Sequence, residues 1–231
     1  MRTTQLAAEP DIASVAALIG HPSRAAMLSA LIDGRSRPAG ELARFARVSA
    51  QTASAHLDKL FRGKLLAVVV QGRHHYYRLR DSSVAELLES LAVMSTSGRP
   101  ARNSQTEDML RLKFARTCYG HLAGKLGVGI ASALEAKQYT KQMDGGFQLT
   151  PAGKDWLRSI GLEPTILARN ELVRGCLDWS ERRFHLAGPI GVELAKLLFD
   201  KRWIARSREG RAVRITENGR QALRSLLDLR I

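Results

Sequence analysis

Both cysteines of this 231-residue chain lie in its second half, each with a histidine downstream. Cys118 stands three residues before His121, a spacing that puts both side chains on one face if the segment is helical. Cys176 stands two residues before Asp178 and nine before His185. Two thiolates and two imidazoles suit a thiophilic metal ion, zinc, cadmium or lead, in a closed site. The same residues also admit a plainer role, because a cysteine on an apolar helix often acts as a small buried hydrophobe and a histidine can cap or bond backbone. Trp179 beside Asp178 and Glu181 suits a small organic ligand as well as it suits packing. The cofactor is therefore open among a metal ion, an organic or redox effector, and none. No phosphate loop, metalloprotease histidine pair or nucleophile elbow accompanies these residues, so an enzyme is not expected.

The segments that must position these residues repeat. His121-Leu122-Ala123-Gly124-Lys125-Leu126-Gly127-Val128 returns 64 residues later as His185-Leu186-Ala187-Gly188-Pro189-Ile190-Gly191-Val192. Phe147 to Gly153 is echoed 66 residues later by Val213 to Gly219. Two matched blocks in one order predict two copies of one supersecondary unit, about 108–163 and 171–231. Each copy reads helix, helix, short hairpin, helix. In the first, Leu126 to Gln138 has a helical apolar pattern. Tyr139 to Met143 and Phe147 to Thr150 flank the turn signal Asp144-Gly145-Gly146, and Thr150 or Pro151 opens the closing helix. The second copy repeats this with Trp203-Ile204-Ala205, Glu209-Gly210, Ala212 to Ile215 and a helix over Thr216 to Leu229. Helices feeding a two-stranded wing describe a winged-helix-like unit.

Composition points to a polyanionic partner. The formal net charge is +14, and neutralising phosphates supplies most non-specific nucleic-acid affinity. No run approaches 18 apolar residues, and Glu9, Pro10 and Asp11 interrupt the N-terminus where a signal peptide would be apolar, so the cytoplasm is expected and a membrane partner is not. Residues 96–107, small, polar and punctuated by Gly98 and Pro100, read as a linker between a domain over 1–95 and a C-terminal effector domain over 108–231.

The first domain reads as a helix-turn-helix with a wing. Helix one covers Ile12, Val15, Ala16 and Ile19; helix two runs through Met27 and Leu31 to Gly34. Helix three is Ala39 to Ala46, with Leu42, Ala43 and Phe45 expected inside. Ser49 can cap helix four, whose buried stripe is Ala53, Leu57 and Leu60. Its other face leaves Gln51, Thr52, Ser54, Ala55, His56 and Lys59 for double-stranded DNA. Gln51 can bond an adenine edge twice, Thr52 and Ser54 can reach bases or phosphates, and His56 and Lys59 suit phosphates. Two β-rich runs around Gln71-Gly72-Arg73-His74-His75 form the wing, with Arg73 at its tip for a backbone or minor-groove contact.

Gly20-His21-Pro22-Ser23-Arg24, Glu41-Leu42-Ala43, Ser54-x-His56-Leu57-x-x-Leu60 and Gly72-Arg73 before Tyr76-Tyr77 together resemble the ArsR/SmtB bacterial repressors over roughly residues 12–95. The resemblance implies a homodimer that sits on operator DNA and leaves when an inducer binds. Its dimer contacts would come from the first helix, at Val15, and from the helix after the wing, at Val84, Leu87, Leu88, Leu91 and Met94. Members that sense arsenite or cadmium carry a Cys-x-Cys pair on the third helix; Glu41 to Ala46 has no cysteine, so that site cannot form here. The second part is an addition most members lack. The expected fold is mainly α with small β wings (α+β): a winged helix-turn-helix, then two winged-helix-like units. The expected function is operator-specific repression relieved by an ion or small molecule held in the second part. The alternative is an architectural or assembly module that binds DNA without preference.

Overall fold

Residues 10–95, 107–207 and 210–231 are described in the structure, a computed structural model. The expected linker therefore lies, apart from Glu107, outside the described residues, as does Glu209 of the expected turn. The chain divides into two compact units, Met1–Leu31 with Arg35–Asp81, and Ile32–Gly34 with Ser82–Ile231.

The first unit is the winged helix-turn-helix. Its elements are α1 (Ile12–Ile19), α2 (Pro22–Leu31), β1 (Arg37–Pro38), α3 (Ala39–Ala46), α4 (Ala50–Arg62), β2 (Leu66–Gln71) and β3 (His74–Leu79). Arg47 ends α3 in the left-handed conformation, turning the chain into α4. Ser49 caps α4 by accepting the Thr52 backbone N–H at 3.2 Å. Met27, Leu28, Leu31, Leu42, Ala53, Leu57 and Leu60 close the core between the helices. Phe45 departs from expectation. It is 37% exposed, and the guanidinium of buried Arg37 lies 5.2 Å from its ring centroid, so the ring covers a cation instead of filling the core. The sheet order is β1-β3-β2, and Gln71 pairs with His74, which shortens the wing turn to Gly72-Arg73 and places His74 and His75 in the strand.

The second unit starts with α5 (Ser82–Ser95), so the helix after the wing belongs to this unit and the division falls at Asp81, before the expected 95. Then come α6 (Glu107–Phe114), β4 (Arg116–Cys118), β5 (His121–Ala123), α7 (Gly124–Ala136), β6 (Thr140–Met143), β7 (Gly146–Leu149) and α8 (Pro151–Ser159). The same series returns as α9 (Pro164–Arg169), β8 (Leu172–Leu177), β9 (Phe184–Leu186), α10 (Gly188–Asp200), β10 (Ile204–Arg206), β11 (Val213–Ile215) and α11 (Glu217–Leu227). Each copy thus has a hairpin between its first two helices that the helical pattern did not predict.

The copies interlock. The wing β6-β7 of the first continues into β8-β9 of the second as one four-stranded sheet. Reciprocally, β4 of the first adjoins the wing of the second, with Thr117 N–H donating to Arg211 C=O and Val213 N–H to Ala115 C=O, both at 2.9 Å. One core, including Leu126, Ile130, Leu157, Ile190, Leu194 and Leu223, serves both copies. The second repeated block has a local cause. Thr150 and Thr216 each cap a helix by accepting the N–H of Gly153 or Gly219 at 3.0 Å. A Cβ on either glycine would lie 1.9 Å from Tyr139 O or 2.0 Å from Trp203 O, so only glycine lets the helix approach the strand.

Candidate nucleic-acid interface and metal centre

The N-cap at Ser49 and the buried stripe of α4 fix which way its other residues point. Gln51, Thr52, Ser54, Ala55 and Lys59 are exposed. The Thr52 hydroxyl lies 2.9 Å from that of Ser49, so it is shared with the cap. His56 is half-buried, its ring centroid 4.5 Å from that of His21. Partial desolvation, then the neighbouring His21, Arg24 and Lys59, push its pKa below the ordinary value. At the wing tip Arg73 is exposed beside Gly72, which takes a φ of 59°. Of the expected dimer residues, Val15, Leu87 and Leu91 are exposed and Met94 is 72% exposed, whereas Val84 and Leu88 are buried within the chain.

The cysteines and histidines come together by a different route from the expected helical turn. Cys118 and His121 are cross-strand partners of the β4-β5 hairpin, and Cys176 and His185 are cross-strand partners of β8-β9. Tyr119-Gly120 forms the two-residue turn of the first, with φ of 45° and 91°, a conformation in which glycine carries no steric cost. The interlock brings the two hairpins face to face, and one ligand atom from each of the four residues lies within 4.8 Å of all the others. Cys118, His121 and His185 are buried and Cys176 is half-buried. Nε2 of both His121 and His185 is buried without a hydrogen bond, and the ring centroids are 5.0 Å apart. The cluster can bind a metal ion, and two unsatisfied imidazole nitrogens beside two sulfurs are the donor set such an ion takes.

A hydrogen bond between the two sulfurs favours the Cys176 thiolate against the opposing effect of burial, helped by His121 and His185. The same bond, with burial, pushes the Cys118 thiol up. Burial pushes His121 down; for His185 burial is outweighed by Asp178 and Cys176, and its pKa rises.

Asp178 comes from the longer loop between β8 and β9. Its Oδ2 lies 3.3 Å from His185 Nδ1, which leaves Nε2 for the cluster. The same carboxylate accepts the Gly124 N–H at 2.6 Å, at the start of α7, and pairs with Arg116 at 3.0 Å. Burial opposes its ionisation, but His185, Arg116, Ser180 and Gly124 hold its pKa well below the usual carboxylate range. Sequence reasoning missed Arg116. It is fully buried, lies 4.5 Å over the Trp179 ring and 3.9 Å from Glu89 of α5, which in turn binds Arg211 at 2.7 Å. The signal was its place in the repeat, two residues before a cysteine as Arg174 is before Cys176. Asp178→Asn should lower cadmium affinity about 10–100-fold, the usual cost of an outer partner; competition against a chelator measures it, and an unchanged affinity would remove Asp178 from the site.

A helix-turn-helix domain family matches residues 19–69, from the end of α1 into the wing. A relative from Bacillus subtilis (strain 168), the uncharacterized HTH-type transcriptional regulator YdfF, is 40% identical over 224 residues, 96% of this chain and 99% of the relative. The chain belongs to the HTH-type transcriptional regulators. It is a regulator with a DNA-binding helix-turn-helix, and the YdfF likeness extends over the added second unit as well as the first. Among solved structures it is similar to the homodimeric winged helix-turn-helix domain of a possible ArsR-family regulator from Mycobacterium bovis, at 24% identity and a TM-score of 0.37, covering 44% of this chain and 100% of that one. It is also similar to the cadmium metal-sensor CMTR from Mycobacterium tuberculosis, at 28% identity and a TM-score of 0.32, covering 42% and 99%. Among the described residues of the regulator, no helix is long and apolar enough to cross a membrane.

Proposed function

We propose that the regulator is a cytoplasmic, homodimeric ArsR/SmtB-type repressor that releases its operator when a thiophilic metal ion binds Cys118, His121, Cys176 and His185. The observation that carries the metal half is the convergence of four donor atoms within 4.8 Å from two repeated hairpins. The DNA half rests on the exposed face of α4, where Gln51, Ser54 and Lys59 reach a major groove and Arg73 a backbone. Dimerisation is supported by α1, an apolar helix with no buried residue, on which Ile12 is 74% exposed. Release uses α5, which follows the wing in sequence and carries Glu89 against Arg116; Arg116 pairs in turn with Asp178, and Asp178 lies against His185.

The test is a set of operator titrations against random DNA at several salt concentrations. Gln51→Ala and Ser54→Ala should each weaken operator binding by about 1–3 kcal/mol and leave random DNA nearly unchanged. Arg73→Ala should weaken both and lower the salt slope by about one. Equal losses on operator and random DNA would remove α4 as the reader and favour the architectural alternative.

A further inference from the structure

The donor cluster is open on one side. A cavity of about 410 Å³ in the second unit ends on Cys118, His121 and Cys176, while His185 is not part of its lining. A bare ion held by four protein donors fills the space between those donors and needs no such volume. The walls are apolar: Ala85 of α5, Ile166 of α9, and Ala187, Pro189 and Val192 around the start of α10. The charged residues in its lining are paired, Glu86 with Arg174 at 2.6 Å and Glu193 with Lys196 at 3.6 Å. A ligand entering therefore meets hydrocarbon along its length and soft donors at the end, including the buried, hydrogen-bond-free Nε2 of His121. Walls of this kind reward an apolar body, and sulfur rewards a soft electrophile at its tip.

We infer that the site takes an organometallic cation, a thiophilic metal carrying one alkyl or aryl group, with the metal on Cys118 and Cys176 and the organic group in the cavity. The inference rests on the proposed metal site and adds the class of ion it receives. Binding is a ligand exchange at constant oxidation state. A bond from the metal to one sulfur forms as a metal–hydroxide bond breaks, and that thiol's proton leaves with the hydroxide as water. The other sulfur adds as a thiolate to an open position on the metal, where no bond has to break, and the metal–carbon bond stays intact. The organic group would lie against Ser82 and Ala85, the first turn of α5, the helix that follows the wing in sequence.

The experiment titrates the full chain with methyl-, ethyl- and phenylmercury hydroxide in competition with glutathione, and separately with cadmium. In the wild type the preference over glutathione should rise along the series, by roughly tenfold or more from methyl to phenyl, since the larger group buries more apolar surface. Val192→Trp, which fills the cavity, should flatten the series and leave cadmium binding unchanged. A flat series in the wild type, or one that stays steep in Val192→Trp with normal cadmium binding, would overturn the inference while leaving the metal site in place. Loss of both, with cadmium and phenylmercury binding no more tightly to wild type than to Cys118→Ser, Cys176→Ser, would remove the metal site and the inference together.

Discussion

Arg116→Leu should destabilise the second unit by about 3–5 kcal/mol, because it strips the partner from a buried carboxylate and leaves that charge uncompensated. Arg116 and Asp178 are both fully buried, 3.0 Å apart, and Glu89 beside them is nearly so. Leucine matches the apolar surroundings but cannot answer Asp178, which also caps α7 and holds His185. Urea unfolding of the full chain should show the loss as a lower midpoint. The exposed pair of Arg220 and Glu217, 3.9 Å apart, is the control; Arg220→Ala should cost no more than about 0.5 kcal/mol. Equal midpoints for Arg116→Leu and wild type would mean that the buried network does not hold the unit together.

The second large effect is on response. Cys118→Ser or Cys176→Ser should lower cadmium affinity by upward of about 100-fold, more than loss of an outer partner costs, since sulfur dominates the affinity of a soft ion. His121→Ala and His185→Ala should weaken it less. In cells either serine variant should keep repressing and stop responding to metal, and a reporter behind the operator reads both. In solution, cadmium should give near-ultraviolet sulfur-to-metal absorption that is lost in the double variant. A double variant that still responds would leave the cysteines structural.

The first unit was legible because its signals are local. Ser49, the stripe of Ala53, Leu57 and Leu60, and the glycine turn of the wing each act within a few residues, and the structure places them as read. The repeat was legible for the same reason: Thr150 with Gly153 and Thr216 with Gly219 perform one capping task in two places. The residues of the cluster were legible, but their geometry was not. A two-residue gap between Cys118 and His121 suits a helical turn and a tight hairpin equally, and only the left-handed turn at Tyr119-Gly120 decides between them. What brings Cys176 to Cys118 is the exchange of strands between the copies, a pairing with no local mark. Arg116 was missed because an arginine is expected at the surface, and its burial depends on Asp178, Glu89 and Trp179, none of them near it in sequence. The side of α5 was missed because an apolar stripe shows that a helix packs without showing on what.

Operator affinity with and without one equivalent of cadmium per chain, followed by fluorescence anisotropy, tests the coupling of the two units most directly. The wild-type dissociation constant should rise at least about tenfold when the near-ultraviolet absorption shows the site filled, a coupling within the range usual for allosteric proteins. The constant for Cys118→Ser, Cys176→Ser should not move. A wild-type protein that binds the operator equally well with the site full would contradict release by metal.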